Sequence, residues 1–400
     1  MTTDIKNNLN NPAQLERMYR DNKSSFKRAF NNIFPEISET PTAQFWNARI
    51  NFEDDQISWG TTKELTIVLV IAFIGGLIAK IPSFAGIDPE YFYQRNIGFI
   101  VFPLLVAYFA WKHQVSRKTM LIAGTAVLVS AVYINLLPND PKSDTLLLAC
   151  IHLPLFLWAV LGFTFLGKNI SNNQRRLDYL RYNADLVVMT TIILIAGALL
   201  TVVTFGLFKL IDIKIEQFYV DYIATWGLAA APIIGTYLVQ VNPQLVNKVS
   251  PVIAKVFTPL VLVTLVTYLI ALVFSGKSLF NDREFLLIFN ILLIGVMAII
   301  FFSIAETSKN KTNKLGTFLL LALSIVTVIV NGIALSAIVF RISEWGFSPN
   351  RLAVLGSNLL ILVNLGIVAY RLFRTINDHN EIEKVEESIA SFLPVYAAWT

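Results

Sequence analysis

Ten apolar runs, nearly free of charge, limit what this chain can fold into more than any other feature. They fall at 65–84, 96–112, 119–138, 145–167, 184–208, 218–240, 251–275, 284–305, 314–340 and 351–373, each bounded by charges, prolines or Asn/Gly clusters. A bilayer core of roughly 30 Å is crossed by about 20 apolar helical residues, so each run reads as a span, with 96–112 the shortest. In lipid only helices and closed barrels satisfy their own backbone hydrogen bonds. Barrel strands show as short alternating segments, which these continuous runs are not. The expected fold is an all-α polytopic transmembrane bundle. Residues 1–64 form a head, 65–373 the bundle, and 374–400 an acidic helix leading into a further span.

Charge distribution supports the division. Apolar side chains make up 55% of the chain and charged ones 15%, where a soluble protein averages about a quarter charged. Residues 1–64 carry 17 of the 59 charges and residues 371–400 carry 8, leaving 34 for the 306 residues between. A single soluble fold is excluded. Cys150 is the only cysteine and there are three histidines, so neither a disulfide scaffold nor a paired-cysteine metal site can form within one chain, and no metal or cofactor is expected. The net charge of +5 comes from basic residues interleaved between the runs rather than gathered in one patch. They report topology and give no footprint for nucleic acid.

Counting Lys and Arg in alternate loops gives 12 in the set that starts with Lys112, Arg117 and Lys118, against 9 in the set that starts with Lys80 and Arg95. The second set also holds the acids Asp88, Glu90, Asp140, Asp144, Asp212, Glu216, Asp221, Asp282, Glu284 and Glu344. By the positive-inside rule the first set faces the cytoplasm, which places head and tail there too. No apolar stretch precedes Leu65, so the first span is expected to direct insertion without a cleavable signal.

In the head, Leu15, Met18, Tyr19, Phe26, Ala29, Phe30 and Ile33 share one face of a helix over 12–34, with Asn11 as cap, Pro12 in the first turn and Pro35 as stop. Arg17, Arg20, Lys23, Lys27 and Arg28 flank it. Two uses are open: anionic lipid met through Phe26, Phe30 and the basic residues, or packing against the protein's own surface or a second copy. Glu53, Asp54 and Asp55 form an acidic triplet that reads as a cation ligand set or a solvated turn. In the tail, Ile382, Val385, Ile389 and Leu393 recur at helical spacing among Glu381, Glu383, Glu386 and Glu387.

The motifs HExxH, GxSxG, GxGxxG and Walker A do not occur, which argues against an enzyme and a nucleotide-driven pump. Asp185, Asp221 and Glu306 fall near predicted membrane edges, which argues against a proton relay. Uncharged polar groups are the stronger lead. Asn350, Ser357 and Asn364 recur every seven residues of the tenth run, with Arg351 and Asn358 beside them. Amides facing lipid would lack partners, so this stripe is expected to look into the bundle toward Asn331 and Asn290, as interhelical glue or as a solute pathway. His152 lies near Pro154, where it binds a carbonyl freed by the proline or senses pH or a metal. Small residues at Gly75 and Gly76, with Ala72 and Ala79, and at Gly227, Ala231 and Gly235 beside Pro232 read as close helix packing or as interrupted helices of two inverted five-helix repeats.

The stretch from Ile342 to Leu352, leading into Val354-Leu355-Gly356-Ser357-Asn358, resembles the signature loop of the bacterial domain of unknown function 4153 family. Trp345, Phe347 and Ser348 depart slightly from the family pattern, and Phe45-Trp46-Asn47-Ala48-Arg49 and Phe392-Leu393-Pro394-Val395-Tyr396 are also similar. The resemblance implies a multi-spanning bacterial membrane protein whose relatives continue into a further span, and it implies no activity. Read from the residues, Ser348 caps the tenth helix, Pro349 opens it, and Arg351 at its first turn, with Arg341 and Glu344 near, offers an anion site for phosphate headgroups or an anionic solute. Two functional classes stand: a transporter-like or lipid-handling carrier, and a membrane scaffold or sensor relaying to cytoplasmic partners. Expected partners are the bilayer, anionic lipid or a small solute, and a second copy of the chain.

Overall fold

The computed structural model describes residues 2–21, 23–52, 60–140, 143–241, 249–276, 283–307, 314–377 and 382–399. All regular structure among them is helical. The chain divides into two compact units, Met1–Gln56 and Ile57–Thr400.

The first unit consists of α1 (Thr2–Asn7), α2 (Pro12–Asp21), α3 (Lys23–Ile37) and α4 (Pro41–Phe52). The helix expected over 12–34 is thus two helices. Pro35 lies inside the second and does not stop it, since that helix runs on to Ile37. Phe26 and Phe30 are completely buried with Leu15, Tyr19, Trp46 and Ile50, and the Trp46 ring lies 5.5 Å from Tyr19 and 5.2 Å from Phe26. This corrects the lipid-facing reading of Phe26 and Phe30, since the amphipathic face is closed by α4. Arg17 and Arg20 remain on the surface, where Arg20 pairs with Glu16 at 2.8 Å and Arg49 joins from α4 at 3.0 Å. The side chains of Lys23 and Lys27, and the acidic triplet 53–55, lie outside the described residues.

Among the described residues, the second unit carries ten helices long and apolar enough to cross a membrane. They are α5 (Thr62–Ala79), α7 (Pro89–Lys112), α8 (Arg117–Leu136), α9 (Asp144–Leu166), α10 (Asn173–Leu210), a composite over Glu216–Val241, α13 (Val249–Ser275), α14 (Arg283–Thr307), α15 (Lys314–Trp345) and α16 (Pro349–Asn377). The composite joins α11 (Glu216–Phe218), a π-helical turn at Tyr219–Ala224 and α12 (Thr225–Val241), while a short α6 (Ile81–Ala85) follows α5. The ten expected spans are all present, but two begin well before their apolar runs. The second starts at Pro89 and takes in Arg95, and the fifth starts at Asn173, where the Asn172 side chain accepts from the amides of Gln174 and Arg175 at 2.9 and 3.3 Å. At 38 residues and 1.5 Å per residue, α10 is longer than a bilayer core is thick.

Two cores hold the unit together. One gathers Val68, Leu105, Phe109, Leu161 and Leu238 from α5, α7, α9 and α12. The other gathers Leu265, Phe289, Leu323, Val330 and Leu365 from α13 to α16. The small residues of α5 are packing surface, since a Cβ at Gly76 would lie 2.4 Å from the Trp226 ring. The helix expected at 374–400 is present as α17 (Ile382–Trp399), and it packs on the second core. It runs antiparallel along α16, with Val385 buried, Tyr396 against Asn364 and Trp399 against Ser357.

Candidate functional site

Asn331 of α15 and Asn358 and Asn364 of α16 are 0%, 1% and 0% exposed, so the latter two residues, in the tenth span's stripe, face the bundle. The Asn331 Nδ2 of α15 donates to the Asn358 carbonyl of α16 at 3.0 Å. The Asn364 Nδ2 donates to the Tyr396 hydroxyl at 2.9 Å, and that hydroxyl lies 4.0 Å from the Met297 sulfur of α14. Asn290 stands seven residues before Met297 and Asn358 six before Asn364, about 10 Å and 9 Å of helix, so Asn290 and Asn358 share a depth. The Asn331 and Asn364 amides are half used, since each donates through Nδ2 while its Oδ1 lacks a partner. Eight buried side-chain polar atoms lack a partner among the described residues, and four of them are Asn290 Oδ1, Asn331 Oδ1, Asn358 Nδ2 and Asn364 Oδ1. An unsatisfied buried polar group costs about 1–3 kcal/mol. This cluster is therefore the least satisfied part of the second core.

The other stripe residues are placed differently. Ser357 donates to the Ala353 carbonyl at 2.8 Å and accepts the Trp399 indole N–H at 3.1 Å. Asn350 is exposed at the helix start. Arg351 turns back to the preceding helix, and one guanidinium nitrogen donates to the carbonyls of Trp345 at 2.8 Å and Gly346 at 2.6 Å, beneath the Trp345 ring. It clasps a helix C-terminus, where a cation is favoured by the helix dipole, and stands apart from the amides. Ser348 caps α16 as expected, accepting from the Arg351 amide at 3.3 Å. The His152 Nδ1 bonds the Leu148 carbonyl at 2.8 Å, one turn back, instead of the Cys150 carbonyl that Pro154 frees.

Two polar centres escaped the sequence reading. In the first turn of α5, Glu64 Oε1 accepts from the Tyr108 hydroxyl at 2.7 Å and from the Lys112 ammonium at 2.6 Å. Thr61 caps the same turn by accepting from the Glu64 amide at 3.2 Å. Gly60 precedes it at φ +57°, where a Cβ would also press on Glu64 Oε2 at 3.0 Å, so glycine is required there twice over. The available signals were Thr61-x-x-Glu64 as a capping pattern and Tyr108 and Lys112 one helical turn apart. Next to Lys112, the His113 Nδ1–H donates to the Phe165 carbonyl at 3.0 Å, and burial holds the imidazole below its usual range despite that bond.

The second centre is Arg95, 1% exposed in α7. Its guanidinium donates to the carbonyls of Ile134 at 2.8 Å, Leu137 at 3.2 Å and Pro138 at 3.3 Å and to Asn139 Oδ1 at 3.3 Å, closing the C-terminus of α8. Beside it Asn96 and Asn135 exchange two amide bonds of 3.0 and 2.8 Å. At the far end of α5, buried Lys80 lies 3.7 Å from Asp221 of the π-helical turn. No group of three or more metal-ligating side chains occurs among the described residues. Comparison with protein-family models, curated proteins and solved structures finds no match, so the family resemblance rests on the quoted residues alone.

Proposed function

We propose that this chain is a carrier of the bacterial cytoplasmic membrane that binds an uncharged polar solute at the buried amides of α14, α15 and α16. The buried amide atoms left without a partner, Asn290 Oδ1, Asn331 Oδ1, Asn358 Nδ2 and Asn364 Oδ1, carry the reading. A bundle that needed them only as glue would pair them fully, and amides offer donors and acceptors without charge, which selects a neutral ligand. The expected result is a thermal shift of the purified protein by at least one member of a panel of polyols, sugars and small amides, lost in Asn358→Leu. That variant should itself be as stable as the parent, because Asn331 bonds the backbone carbonyl of residue 358 and the deleted Nδ2 has no partner. A panel without effect on the parent, or with equal effect on the variant, rejects the reading.

The 12-to-9 basic asymmetry supports a cytoplasmic N-terminus. With Cys150 replaced by Ala, a cysteine at Asn139 should react with an impermeant thiol reagent on intact cells and one at Asn172 should not. Reaction at Asn172 alone would invert the topology. The scaffold or sensor reading keeps one support, the separate four-helix head with its own core.

A further inference from the structure

Helices α8 and α9 leave a cavity of about 650 Å³ between them, lined by Ala126, Ser130, Tyr133, Ala149, His152 and Phe156 among others. Its own lining is exposed and largely apolar at the mouth, with Val129 and Tyr133 on α8 and Leu148 and Phe156 on α9. In a membrane these faces meet hydrocarbon, so whatever fills the cavity enters sideways from the bilayer. The lining runs from Thr145, beside the first residue of α9, to Phe156. Eleven residues of helix span about 16 Å, close to the depth of one leaflet in a core of roughly 30 Å. The cavity therefore has the length, the polarity and the access of a slot for one lipid chain.

One feature of the wall is not hydrocarbon-like. The Leu148 carbonyl can only accept, so the His152 Nδ1 that bonds it carries the hydrogen, and in the neutral ring Nε2 is left as an acceptor. Nε2 has no partner among the described residues. Ser130 spends its hydroxyl hydrogen on the Val127 carbonyl at 2.9 Å and likewise offers lone pairs to the cavity. The Tyr133 and Thr145 hydroxyls on the wall can donate or accept, but His152 Nε2 can only accept, so it calls for a donor on the occupant. We infer that the α8–α9 cavity binds one acyl chain of a lipid from the adjoining leaflet, and that it favours a chain bearing a hydroxyl, which donates to His152 Nε2. This inference is independent of the amide cluster and of the carrier reading.

The test uses the full chain in phosphatidylethanolamine and phosphatidylglycerol vesicles doped with a phosphatidylglycerol carrying a mid-chain diazirine, with or without a hydroxyl on that chain. After illumination, label should concentrate on peptides 126–134 and 145–156, above its level at the exposed Val187 and Leu199 of α10. The hydroxylated probe should label more strongly by about threefold to tenfold, the value of one net hydrogen bond. Ala149→Trp should fill the slot and bring its labelling down to the α10 level, and Ala126→Phe narrows the opposite wall if the first variant fails to fold. His152→Phe should keep the labelling and erase the preference between probes. Labelling no higher than on α10, labelling unchanged by both filling variants, or a groove covered by a second copy in cross-linking would each overturn the chain-binding site. Equal labelling by the two probes in the parent protein would overturn the role of His152.

Discussion

Glu64→Leu should lower the stability of the transmembrane unit by about 3–5 kcal/mol, the cost of leaving one partner of a buried ion pair uncompensated. The Lys112 ammonium and the Tyr108 hydroxyl both direct their hydrogens at Glu64 Oε1, and once it is gone Lys112 keeps only the neutral Tyr108 hydroxyl, at 3.2 Å. The combination Glu64→Leu, Lys112→Met and Tyr108→Phe should recover most of the loss, because apolar side chains of similar size replace a buried pair at little cost. Unfolding in mixed micelles monitored by tryptophan fluorescence measures both. If the single variant is neutral, or the triple is as weak as the single, the cluster is not a buried electrostatic anchor.

Arg95→Leu should cost about 2–5 kcal/mol. It strips the donors from carbonyls at the end of α8, of which Ile134 is fully buried, and a buried acceptor without a donor costs about 1–3 kcal/mol. Arg95→Lys should rescue only part of this, since one ammonium cannot reach the four acceptors that the planar guanidinium bridges. Proteolysis of the α8–α9 loop should accelerate in the same order, Leu before Lys before the parent. A lysine variant indistinguishable from the parent would mean that charge at this helix end matters and the fork geometry does not.

Much of this architecture could be read before any coordinates. Span existence was legible because about 20 apolar residues in succession have few other uses. Asn331, Asn358 and Asn364 stood out because amides are conspicuous on an apolar background, and they are indeed buried. Their partners were not legible. Tyr396 and Trp399 sit in the stretch that read as leading into a further span, and only three-dimensional packing shows that α17 presents them to α16. Arg95 and Glu64 were misplaced for one shared reason. A charge beside an apolar run reads as a boundary, whereas here a helix C-terminus and a lysine each neutralise a charge just inside it. In the head, periodicity gave the apolar face of α2 and α3 but could not say what covers it, and Trp46 and Ile50 of α4 do.

The docking of α17 bears on the order in which the protein is assembled. Chains emerge from the ribosome N-terminus first, so α14, α15 and α16 are in the membrane before residues 382–399 exist. Until then Asn364 lacks the Tyr396 hydroxyl, Ser357 lacks the Trp399 indole, and the second core stands open along one side. The gap has a fixed shape, because Trp399 sits where any side chain on Gly356 would be, 1.9 Å from a Cβ built there. Docking of α17 is therefore a later event than insertion of α14 to α16, and it fills a slot that those helices have already formed.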